Sequence, residues 1–102
     1  MLEIYTFTFS TGELGKERFT SEHILKIKEE VGSCWRDLGL TLRIGSAIVC
    51  NIGQDIQESR ERAHQVLKVW IDQNGREATV GRLACALNGI RRKKIADKLL
   101  GM

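Results

Sequence analysis

Apolar residues recur along this chain with the period of a helix. Ile24, Ile27, Val31, Trp35, Leu38 and Leu42 are separated by steps of 3, 4, 4, 3 and 4, so one stripe crosses Gly32-Ser33. Two helices broken there, or one bent helix, would each present that stripe to a core. The clearest signal lies further on. Ala63, Val66, Leu67 and Trp70 fall at i, i+3, i+4 and i+7, while Glu61, Gln65, Lys68 and Asp72 line the opposite side. Asn74-Gly75 supplies a left-handed stop. Val80, Leu83, Ala84 and Leu87 form the core face of the next helix, which Thr79 is placed to cap and Asn88-Gly89 to end. A last helix carries Ile95, Ala96, Leu99 and Leu100 and stops at Gly101.

The remaining segments signal more weakly. Thr20 or Ser21 can cap the first helix, with Glu22 favourable in its first turn. The chain can turn at Gly45-Ser46, and Ser46 can cap a short helix carrying Ile48 and Ile52. Gln54 to Glu61 holds one apolar residue among polar ones, which predicts a brief exposed helix or turn. Six helices joined by short connections predict an all-α antiparallel bundle over residues 20–102. Residues 1–19 read as a separate N-terminal extension, extended or disordered. There Tyr5, Phe7 and Phe9 alternate with Thr6 and Thr8, a strand period. Such a strand can pack on the bundle, pair with a partner chain or stay disordered, and Ser10 to Lys16 forms a connector.

Composition agrees with one ordinary globular domain. The 102 residues are 42% hydrophobic and 28% charged, enough for a core without metal or disulfide. Proline is absent, which removes the strongest helix breaker. Cys34, Cys50 and Cys85 are odd in number and form no CxxC pair, so they read as small buried hydrophobes in a reducing, cytoplasmic setting. No apolar run is long enough to span a membrane, and the N-terminus lacks the layout of a signal peptide. The net charge of +3 does not by itself imply a polyanion partner.

Candidate chemistry is sparse. His23 and His64 have no cysteine beside them in sequence, and no GxSxG, HExxH or phosphate-cradling glycine loop occurs. No catalytic, cofactor or metal site is therefore expected. Trp35 and Trp70 both sit on apolar stripes, where core packing is a better account than a ligand platform. The one pronounced charge run is Arg91-Arg92-Lys93-Lys94. It reads as a solvated helix start, as a contact for an acidic partner, or as a nucleic-acid or nuclear-import patch. Cations at a helix N-terminus oppose the macrodipole, and carboxylates on a partner would offset that.

Trp70, Ala78-Thr79-Val80, Leu83, Ala86-Leu87 and Ile95-Ala96-Asp97 resemble the last three helices of a death domain. Trp35, Leu38, Leu42, Ile44, Ile48 and Ile52 resemble the first half, so the resemblance covers Thr20 to Gly101. The spacing is most similar to the death domain of the Fas-associated adaptor, and ankyrin and netrin-receptor death domains share much of it. That adaptor also carries a death-effector domain ahead of its death domain, which nineteen residues cannot encode.

The resemblance implies a particular winding of six helices, with tryptophans buried at these two places, and members that bind one another into signalling oligomers. It also implies contact between the first and fourth helices of one molecule and the second and third of its neighbour. The corner before the last helix is a further contact. On this chain the positive groups would be Lys26, Lys28, Arg62 and Lys68, with Arg91, Arg92, Lys93 and Lys94 at the corner. The acidic counterpart would be Asp55, Glu58 and Glu61, on or beside a weak third helix. The expected function is a non-catalytic adaptor, cytoplasmic and not membrane-inserted, whose partners are other death-domain proteins, a second copy of itself among them. The alternative is a small basic helical nucleic-acid-binding domain using Arg91 to Lys94. It is the weaker reading, because no aromatics interleave those cations for base stacking.

Overall fold

The computed structural model describes residues 16–101. The expectation for Tyr5 to Phe9 lies outside the described residues. Within them the chain forms six α-helices: α1 Ser21–Val31, α2 Trp35–Thr41, α3 Ser46–Asp55, α4 Ser59–Asn74, α5 Val80–Gly89 and α6 Lys93–Leu100. The apolar stripe across Gly32-Ser33 belongs to two helices, joined by a single 3₁₀ turn over Gly32–Cys34. Gly32 marks a close approach there, because a Cβ would lie 3.3 Å from the backbone nitrogen of Arg60 at the start of α4.

Both tryptophans lie in one core. Trp35 and Trp70 are 7% and 3% exposed and join Ile24, Ile27, Val31, Leu38, Val66, Leu67, Leu83 and Leu87 in a continuous apolar cluster. Helix α1 packs along α4, and α5 along α6, while α1 also touches α6. The bundle is thereby closed around α1 and α4, the two helices whose sequence periodicity is clearest.

Helix ends follow local chemistry. At the start of α1 the backbone N–H of Thr20 donates to Nδ1 of His23 at 3.0 Å, so an imidazole takes the place usually held by Glu or Gln in a capping box. The Thr79 hydroxyl accepts from the backbone N–H of Arg82 at 3.3 Å, the predicted cap of α5. Gly75 ends α4 with φ +54°. Two other helix ends place a non-glycine residue in the left-handed region. α5 runs through Gly89, and the left-handed residue beyond it is Arg91, with φ +64°. Arg91 N–H donates to the carbonyl of Asn88 at 3.1 Å and Arg92 N–H to that of Leu87 at 2.8 Å, the paired bonds of a Schellman turn. α2 ends the same way, with Arg43 at φ +60° and Ile44 N–H reaching back to Gly39.

Three further expectations are corrected. Gln54 to Glu61 is not an element of its own: Asp55 is the last residue of α3, Ile56 is extended, and α4 has begun by Ser59. Of the three cysteines only Cys34 is buried, whereas Cys50 and Cys85 face outward. Residues 17–19, assigned to the extension, are seated on the bundle. Phe19 N–H donates to Ala78 O and Val80 N–H to Glu17 O, both at 2.8 Å. Phe19 is 2% exposed, stacked on His23 and edge-on to Trp70 at centroid distances of 5.4 and 5.6 Å.

Candidate protein-interaction surface

Charged side chains on the surface divide into those the fold has paired and those it leaves open. On the α1–α4 face the ammonium of Lys28 lies 3.5 Å from Glu61. Lys28 and Glu61, expected on opposing surfaces, therefore neutralise each other on one. Arg60 bridges Glu58 at 3.0 Å and Glu29 at 3.4 Å, which ties the start of α4 to α1. Lys98 on α6 pairs with Glu30 on α1, and its hydrogen bond holds the Glu30 carboxyl below the ordinary glutamate range. Glu29, Glu30, Arg60 and Lys98 were not among the expected residues. Their pairing spans up to 68 positions, a separation no local pattern reveals.

Arg62 turns inward. Its Nε donates to the carbonyl of Ile56 at 2.6 Å and its Nη2 to that of Gly53 at 2.9 Å, while Cζ lies 5.3 Å from the Trp35 ring centroid. Arg36 covers the same ring at 5.1 Å. Lys26 on α1 and Lys68 on α4 are exposed and enter no ion pair among the described residues. At the α3–α4 corner Asp55 is likewise exposed and unpaired, and Glu58, exposed, has only Arg60.

The α5–α6 corner holds the strongest concentration of charge. Arg91, Arg92, Lys93 and Lys94 are all exposed, and none is in an ion pair among the described residues. They line an open concavity of about 450 Å³ together with Glu30, Ser33 and Ile95. Beneath it, burial pushes the Cys34 thiol above its ordinary pKa, and the nearby Arg92 guanidinium opposes that shift. The two histidines have local roles: His23 caps α1 and supports Phe19, and half-exposed His64 lies 4.0 Å from Glu61. No group of three or more potential metal ligands occurs among the described residues, and none of their helices is long and apolar enough to cross a membrane.

The family profile described as Death domain matches residues 21–102. The chain belongs to the death-domain family. Its six helices and two buried tryptophans are the arrangement expected of a death domain, a class of protein-interaction module. The chain is 32% identical, in an alignment of 108 positions that covers 99% of its length, to a tumor necrosis factor receptor type 1-associated DEATH domain protein of Xenopus laevis. It is also 32% identical over 80 residues, 78% of its length, to THO complex subunit 1 of Mus musculus. The alignments cover 36% of the frog protein and 12% of the mouse protein, so the chain spans only a part of either. No solved structure matches significantly. This death domain carries charge of both signs at separate corners, with the intervening face largely neutralised from within.

Proposed function

We propose that this death domain is a non-catalytic, cytoplasmic adaptor module that builds signalling oligomers by docking its cationic α5–α6 corner on carboxylates of another death domain. The observation that carries this reading is the segregation of exposed charge, with unpaired Arg91 to Lys94 at one corner and, at another, unpaired Asp55 beside Glu58, whose one ion-pair partner among the described residues is Arg60. Lys26 and Lys68 add positive groups on α1 and α4, whereas Lys28, Glu61 and Arg62 already have partners within the domain. Contacts between unlike patches are heterologous, so they propagate along an axis instead of closing as a twofold dimer. Complementary charge of this kind sets register and partner choice more than raw affinity. Each exposed pair contributes only about 0–1 kcal/mol, so assembly rests on several contacts together.

The test is sedimentation velocity over a range of protein and salt concentrations, alone and with a panel of other death domains. Association that weakens with salt, and falls on Arg92→Glu or Glu58→Lys while helicity is retained, is the expected result. A chain that stays monomeric at high concentration and binds none of the panel refutes it. The same cations bear on the nucleic-acid alternative. Four phosphate contacts would give a slope of log affinity against log salt of about −3 to −4. Submicromolar RNA or DNA binding at physiological salt, abolished by neutralising Arg91 to Lys94, would favour that alternative.

A further inference from the structure

The α3–α4 corner is held in place from inside the domain. When α3 ends at Asp55, the carbonyls of its last turn have no helical successors to accept from, and they carry the negative end of the helix dipole. Ile56 N–H satisfies the carbonyl of Ile52 at 3.0 Å. Arg62, one turn into α4, satisfies the next one along. Its Nη2 donates to Gly53 O at 2.9 Å, and its Nε donates to Ile56 O at 2.6 Å, in the connector itself. A guanidinium offers those two N–H groups in a rigid plane, whereas an ammonium is a point donor on a flexible stem. The plane is fixed in turn by the indole of Trp35 on α2, 5.3 Å away. Gly53 lies directly on that indole, since a Cβ would stand 2.9 Å from Cη2. Trp35, Gly53 and Arg62 thus lock α2, the end of α3 and the start of α4 around the turn that presents Asp55 and Glu58.

We infer that Arg62 is a positioning residue for partner binding: it sets the geometry of the acidic corner and makes no contact with the partner itself. This rests on the proposed use of Asp55 and Glu58 as contacts, and it moves Arg62 off the cationic docking surface where its sequence position had placed it. The inference separates Arg62 from Lys68, which lies on the same helix but is exposed and unpaired.

Two measurements on the Arg62→Ala, Arg62→Lys and Gly53→Ala variants of this chain test it. The first is amide hydrogen exchange. Exchange at Ile56, whose N–H bonds to Ile52 O, and at Gln54 and Asp55 in the last turn of α3 is expected to quicken by about tenfold or more in all three variants, with α5 and α6 unchanged. Arg62→Lys is expected not to restore protection. The second is self-association of this chain, with Glu58→Lys combined with each variant. A positioning role predicts that Arg62→Ala adds less than about twofold to the loss already caused by Glu58→Lys, because the two act on one corner. Unchanged exchange at residues 54–56 in the folded variants overturns the inference, as does a loss fully multiplicative with that of Glu58→Lys. If Arg62→Ala does not fold, Arg62→Lys and Gly53→Ala carry the same test. If the wild-type chain does not self-associate, the same double-variant comparison is made on its binding to a death domain of the panel, and binding to none of them refutes the reading on which this inference rests.

Discussion

Replacing Phe19 by alanine should weaken the whole domain, although sequence pattern places this residue outside it. The ring is 2% exposed and contacts two others, His23 at 5.4 Å and Trp70 at 5.6 Å between centroids. Transfer of a buried phenylalanine side chain to water costs about 1.5–3 kcal/mol. The cavity left behind brings the usual total for Phe→Ala to about 3–5 kcal/mol. Because Phe19 enters from a segment held by a few backbone bonds, the site can partly collapse, and the low end, about 3 kcal/mol, is expected. A domain of this size has roughly 5–15 kcal/mol in total, so the variant should fold but melt early. At about 4–8 °C per kcal/mol the midpoint should drop by about 12–24 °C. Phe19→Leu retains most of the apolar area and should lose only about 1 kcal/mol. Urea titration followed by circular dichroism gives the stability, and tryptophan emission should shift at the same midpoint because Trp70 loses a ring neighbour. A Phe19→Ala variant within about 0.5 kcal/mol of wild type would refute the reasoning and return the start of the core to α1.

Three further outcomes follow from other contacts. Thr79→Ala removes the cap of α5 and should cost about 1 kcal/mol in urea titration, with Thr79→Ser close to wild type. Glu30 is held below its ordinary pKa by Lys98, so the stability this pair adds is complete above the ordinary glutamate range and is lost as pH falls through the depressed value. Both groups are well exposed, so wild type should exceed Glu30→Gln by less than about 1 kcal/mol at neutral pH, and the two should converge in strong acid. Cys34 is buried with its thiol pKa raised, while Cys50 and Cys85 are exposed. Iodoacetamide should therefore modify Cys50 and Cys85 of the folded protein at neutral pH and reach Cys34 only on unfolding, as mass spectrometry would show.

What the sequence reveals here is each helix's own inward face. Ile24, Val66, Trp70, Leu83 and Leu99 can all be read as core because burial repeats with the helical period. Thr79 and Gly75 are legible because capping and left-handed turns depend on one residue's own chemistry. Most of the failures share a cause, dependence on a distant element, and the cysteines are the exception. Phe19 stands outside any period and is buried only because the Ala78-Thr79 backbone offers it a strand partner. Cys50 and Cys85 have apolar sequence neighbours yet point outward, since neighbours in a helix face different ways. For the surface, residue type gave the sign of each charge but not its partner. Lys28 and Glu61 are 33 positions apart, and only folding shows that they cancel. Arg62 is indistinguishable from Lys68 in sequence pattern, whereas the structure directs one inward to two carbonyls and the other to solvent.

The Schellman turn at Arg91 sets folding and charge against each other. A left-handed backbone costs an L-residue about 1 kcal/mol, and glycine would hold the same turn without that strain. Arginine nevertheless occupies it, at the head of the cationic corner. A variant library screened for heat resistance alone would therefore drift toward glycine at this position and shed a positive group on the way. Under the proposed docking at this corner, a higher melting point is a poor surrogate for competence in assembly, and the two properties have to be selected separately.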